Sequence, residues 1–181
     1  MEKVKGDVIY CFSEGEFSIV ADVCGIRKML CFTTREGGQL RKLPRNEYNR
    51  AVFDLCKRGM VRREGNDLIL DKELAVMITR CKKSGRIVCF RKKTEHSYTA
   101  CIYLDDDMDY TVILPGRRKS EYIRMSSHAN GELRDMLESC MDDGDEVYVY
   151  DGTGMQLLQR LSREKEDSFT VDELVRHLKG E

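Results

Sequence analysis

The sequence predicts an α+β protein in which winged-helix-like helices and a hairpin run on into an antiparallel sheet flanked by helices. Three observations carry this. Apolar residues recur at helical spacing through residue 84, interrupted by one hairpin signal. After Gly85 the period becomes two, in four short runs separated by charged or turn-rich segments. Helical spacing then returns in the last third of the chain. The first change of period divides the chain into residues 1–84, the winged-helix-like N-terminal half, and residues 85–181, the sheet with the C-terminal helices, packed together as one globular unit.

The elements follow in order. A short apolar segment over 7–12 precedes a helix over 14–24, where Phe17, Val20 and Cys24 share a face and Gly25 supplies the stop. The Gly pair and Pro of TTREGGQLRKLP mark the least ordered internal stretch. From Pro44 a helix places Tyr48, Val52 and Leu55 toward the core, and Gly59 ends it. Residues 60–63 and 67–70 flank Gly65 and Asn66 as a hairpin, and Asp71 caps a helix with the stripe Leu74, Met77, Ile78, Cys81. Strands start at Ile87, Ser97, Tyr110 and Tyr122, and their short connections predict one antiparallel meander.

SSHANGELRDMLESCM reads as a helix through Leu133, Met136, Leu137 and Cys140, EVYVY as a strand, and residues 154–165 as a helix through Leu157, Leu158 and Leu161. A capping box, Thr170 with Glu173, opens the last helix. The order helix, Gly, strand, helix thus occurs twice, with EGNDLIL lying over DGDEVYV. Pseudo-twofold halves and chance recurrence of a common grammar both account for it.

The chain has 181 residues, 41% hydrophobic and 35% charged, with a formal net charge of −1. That length can bury a core without staples, and no apolar run approaches the roughly 20 residues of a membrane span. The opening residues MEKVKGDVIYCFSEGEF break their apolar run with Ser13, Glu14 and Glu16, so they lack the core of a secretory signal. A soluble cytoplasmic protein without membrane insertion is expected, and its eight scattered cysteines read as reduced core residues.

Chemistry is sparse at this level. No Cys-x-x-Cys occurs and His96, His128 and His177 stand far apart, so the histidines read as surface or cap residues and no metal or other cofactor is expected. Asp105, Asp107 and Asp109 begin like a calcium loop, but Tyr110 stands at the sixth position and Gly116 at the twelfth, which leaves a solvated turn. The turn DGTG is too short for a phosphate loop. Cys140 near His128 is already explained by packing in a helical stripe, so no catalytic residue emerges and the expectation is a protein that is not an enzyme.

Two basic groups offer binding roles. Arg45, Arg50, Lys57, Arg58, Arg62 and Arg63 occupy the positions from which a winged helix would contact DNA. Glu47, Asp54, Glu64 and Asp67 interleave with them and cancel most of the attraction to phosphates, so a solvated helix face is the simpler reading and nucleic acid is disfavoured. Arg117, Arg118 and Lys119 at a Pro-Gly turn, joined by Arg91, Lys92 and Lys93 from a neighbouring loop, read as a docking surface for an acidic partner or as charge that keeps a loop soluble.

The order of elements in LCKRGMVRREGNDLILDKELAVMITRCKKSGRIVCFRKK, followed by SYTACIYL, YTVIL, EYIRM and a helix ending LESCM, resembles the EspG family of type VII secretion accessory proteins. The resemblance spans residues 15–150 and rests on spacing and apolar pattern. It implies a cytosolic, noncatalytic chaperone or adaptor, with a central antiparallel sheet flanked by helices, that holds the helical tip of a secreted substrate. The chain departs from the family in its many Lys, Glu and Cys residues and its lack of Trp, so no partner-binding loop residue is carried over. The alternative from another class is a winged-helix transcriptional regulator with an α/β sensor or dimerisation half.

Overall fold

The computed structural model describes residues 8–32, 40–116, 122–142, 144–162 and 170–179. Strand β1 (Ile9–Phe12) leads through Ser13 into α1 (Glu14–Val23). A capping box fixes that junction, with the Ser13 N–H donating to the Glu16 carboxylate at 2.7 Å and the Glu16 N–H to the Ser13 hydroxyl at 3.3 Å. Helix α2 (Arg45–Lys57) stops at Gly59, whose φ of 72° suits a residue without Cβ. The hairpin of β2 (Val61–Glu64) and β3 (Asp67–Leu70) follows, and Asp71 caps α3 (Lys72–Lys83) by accepting from the Glu73 N–H.

The meander comprises β4 (Arg86–Lys92), β5 (Ala100–Leu104), β6 (Tyr110–Leu114) and β7 (Ile123–His128). A 3-10 turn at Asn130–Glu132 opens α4 (Leu133–Cys140), and β8 (Asp145–Asp151), β9 (Leu157–Ser162) and α5 (Val171–Lys179) complete the chain. The fold is α+β, as the periodicities predict. Among the described residues, seven strands form one sheet in the order β1-β7-β6-β5-β4-β8-β9, every pair antiparallel, while β2 and β3 pair only with each other.

Helices cover both faces of the sheet, which is why its central strands read as near-continuous apolar runs. On the first face Phe17 and Val20 of α1, Leu55 of α2 and Leu74 and Ile78 of α3 pack with Phe12, Cys89, Tyr103 and Met125 of the sheet. This cluster draws on residues from both sides of Gly85, and β1 of the N-terminal segment closes one edge of the sheet. On the second face Leu133 and Leu137 of α4 and Leu174 and Leu178 of α5 pack on Val88, Phe90, Ile102, Val112 and Val149.

Four expectations need correction. Residues 157–162 form strand β9, not a helix. Leu157, Leu158 and Leu161 fit helical spacing, but Tyr150 pairs with Leu157 and Val149 with Gln159, so Leu158 is the extra residue of a β-bulge that interrupts strand alternation. Upstream, Asp151 accepts from the Thr153 and Gly154 N–H groups and Met155 has φ 52°, a turn rather than a helix start. Tyr48 is 38% exposed rather than buried, because only Ala51, Val52 and Leu55 of α2 reach the core. Ser126, Ser127 and His128 belong to β7, so the helix begins later than the sequence suggests. His128 is not a surface residue: only 8% of its side chain is exposed, and its ring stacks on Tyr110.

The sheet comes close to its own connections at Gly152. A Cβ there would stand 1.8 Å from the Ser84 carbonyl oxygen, where the Gly152 N–H donates to the Gly85 carbonyl at 3.2 Å. Gly152→Ala is expected to cost about 1–3 kcal/mol through forced backbone displacement, read as a lowered Tm.

Candidate functional site

Among the described residues, helices α4 and α5 cover the second face over β4, β5, β6 and β8 and leave β7 and β1 uncovered there. The uncovered part is a cleft of about 970 Å³ between the β1–β7 edge and α4. Strand alternation sets its floor. On β7, Ile123 and Met125 enter the first core, whereas Arg124, Ser126 and His128 face the cleft; on β1, Ile9 and Cys11 do the same. Leu114 of β6 and Met136 and Cys140 of α4 add apolar surface. Ile9 is 58% exposed and Tyr122 61%, a high value for such large apolar groups.

At the polar end three side chains form a hydrogen-bonded chain. The Ser126 hydroxyl lies 2.9 Å from His128 Nε2, and His128 Nδ1 lies 3.2 Å from a carboxylate oxygen of Glu132. The Tyr110 ring, stacked on the imidazole at 5.2 Å between centroids, holds its plane. The turn that delivers Glu132 is tied down by Asn130, whose N–H donates to Asp109 and whose side-chain amide donates to the Asp107 carbonyl. From the opposite face Arg80 fixes β7 by donating to the Ser127 hydroxyl at 2.6 Å, while its Nε donates to Asp105 at 2.8 Å.

The acidic turn uses its carboxylates internally: Asp105 also accepts from the Asp107 and Asp109 N–H groups. All eight cysteines are free, and burial pushes the thiols of Cys31, Cys81, Cys89, Cys101 and Cys140 up, away from the thiolate that nucleophilic attack requires. Among the described residues no group of His, Cys, Asp and Glu side chains is placed to hold a metal ion.

The residues singled out from sequence scatter. Arg91 and Lys92 end β4 rather than lying on a loop. Arg91 donates to Glu146 at 2.7 Å and lies over the Tyr148 ring on the first face; Lys92 lines the cleft and pairs with Asp142 at 3.4 Å. Lys93 is in the following turn. Arg117, Arg118 and Lys119 lie outside the described residues, but in sequence they stand between Gly116 and Tyr122, which both line the cleft.

Of the second group, Arg45, Arg50 and Lys57 are exposed on α2 and Arg63 is exposed on β2. Arg58 is pinned by Glu16 and by the Cys11 carbonyl, at 2.8 Å, and Arg62 pairs with Glu64. Sequence reading missed Ser126 and Glu132 altogether. The available signal was Ser-x-His with a Glu four residues beyond, in SSHANGE.

Compared with known proteins, the chain matches no family model and no curated sequence. None of its helices among the described residues is long and apolar enough to cross a membrane.

Proposed function

We propose that the protein is a binding protein whose cleft receives a helical segment of a partner protein, and that it serves as a cytoplasmic chaperone or adaptor for helical substrates of a type VII-like secretion system. One observation supports this reading best: the second face of the sheet carries its helical layer over four strands and stops short of β7 and β1, leaving Ile9 and Tyr122 largely exposed. An amphipathic helix, about 10 Å across with its side chains, buries an apolar stripe in a groove of this kind. Lys92 and Arg124 beside the apolar floor suit acidic residues flanking that stripe.

The test is site-specific crosslinking in cells of the native host. A photoreactive residue at Tyr122 is expected to crosslink a helical segment of a small secreted protein, identified by mass spectrometry, and one at Arg50 is not. Replacing Arg117, Arg118 and Lys119 together by Glu should weaken capture at unchanged Tm, whereas the same change at Arg50, Lys57 and Arg62 should do much less. The reverse ranking would defeat this reading. It would favour a winged-helix regulator, for which α2 and the β2–β3 hairpin supply a helix and wing. No sequence-specific DNA binding is expected at physiological salt, because Arg58 and Arg62 are held by Glu16 and Glu64; fluorescence anisotropy against genomic fragments checks this.

A further inference from the structure

We propose that Ser126, His128 and Glu132 make the polar end of the cleft a hydrolytic site for carboxylic esters, with Ser126 as nucleophile. Residues two apart on a strand share a face with about 7 Å between their Cα atoms, and here Ser126 Oγ reaches His128 Nε2 at 2.9 Å. A Glu132 carboxylate at 3.2 Å accepts the Nδ1 proton, which leaves Nε2 free to take the serine proton. The stack on Tyr110 holds the ring, while Ser126 and His128 both line open volume into which a reacting carbonyl fits. Arg124, the next residue along the same face, has no ion-pair partner among the described residues and stands where it can stabilise negative charge developing on a carbonyl oxygen. The apolar lining at Leu114 and Met136 suits an acyl chain.

The reaction balances with water alone. His128 Nε2 takes the hydroxyl proton as Ser126 Oγ bonds to the acyl carbon and the carbonyl electron pair moves to oxygen. Collapse breaks the ester C–O bond, and the leaving alkoxide takes the proton from Nε2. A water molecule then gives its proton to Nε2 and attacks the acyl-serine; the carboxylic acid departs, and Ser126 recovers the proton. Ester and water yield acid and alcohol, with nothing oxidised or reduced.

The proposal concerns the same cleft as the adaptor reading but does not rest on it, and is tested without any partner. The full chain is treated with a fluorophosphonate probe, with a known serine esterase treated in parallel, and the modified residue is found by peptide mass spectrometry. Labelling of Ser126 is expected. Ser126→Ala should abolish it, and His128→Gln should slow it by about 100-fold or more. Ser139→Ala should leave it unchanged, since that hydroxyl also borders the cleft but donates to the Met136 carbonyl at 2.8 Å.

Glu132 acts as a positioning residue. Glu132→Gln should lower kcat on p-nitrophenyl butyrate with KM unchanged, and Glu132→Asp should restore part of the loss. Circular dichroism and Tm establish that each variant folds. An unlabelled Ser126 under conditions that label the control esterase overturns the proposal, as does labelling at an unchanged rate in His128→Gln. Absence of a crosslinked helical partner defeats the adaptor reading alone.

Discussion

Leu55→Asp is expected to leave most of the protein unfolded at 25 °C. Leu55 is fully buried where α2 meets α1 and β2, in the cluster that also holds Phe12, Phe17 and Leu74. Removing a buried leucine side chain alone costs about 2–5 kcal/mol, and an unpaired carboxylate adds desolvation on top. A domain with about 5–15 kcal/mol of total stability has little left after such a loss. Far-UV circular dichroism and dye binding to exposed apolar surface read the outcome. Leu55→Met, close in volume, should cost less than about 1.5 kcal/mol, and an unchanged Tm for the Asp variant would mean that this helix does not pack as described.

Glu146→Gln is expected to destabilise the protein by about 3 kcal/mol near neutral pH, with the deficit vanishing in acid. The Glu146 side chain is only 3% exposed and accepts from Arg91, Arg160 and the Tyr148 hydroxyl, the last at 2.7 Å. Burial pushes its carboxyl up, but the three hydrogen bonds more than reverse this and bring it to about 2, from 4.5. A depressed carboxylate contributes its full stability above about pH 4.5 and loses it as the pH falls through the folded value near 2. Urea unfolding of wild type and variant at pH 7 should therefore differ by about 3 kcal/mol, and the curves should converge toward pH 2. Parallel curves across that range would show that the two arginines do not hold Glu146 ionised.

Much of this architecture was legible because local rules and tertiary packing agree. Leu74, Met77, Ile78 and Cys81 are the residues that α3 buries, and Gly25, Gly59 and Gly65 all have positive φ where the sequence asks for a stop or a turn. Legibility ended where two periods fit the same residues. Leu157, Leu158 and Leu161 satisfy a helix and a bulged strand alike, and only the partner strand β8 decides between them. Tyr48 follows the helical period, but at its end of α2 it stays 38% exposed while Ala51, Val52 and Leu55 are buried. The candidate site disappeared for a related reason. Residues two apart on a helix do not face each other, so Ser126 and His128 read as helical point apart; on β7 they face the same way. The cleft lay beyond reading altogether, since it arises from where α4 and α5 end over the sheet.

Strand β1 finds its partner very late in the chain: Ile9 lies opposite Ser126, and Phe12 opposite Ile123. A ribosome adding about 5–20 residues per second needs on the order of ten seconds between the two. Through that interval β1 has no strand to pair with, and its apolar Tyr10 and Phe12 have no finished core to enter. Closing so long a loop makes this pairing a late and slow event in refolding as well. The strand that borders the cleft is thus synthesised more than a hundred residues before its partner, so this edge of the cleft forms only once β7 is in place.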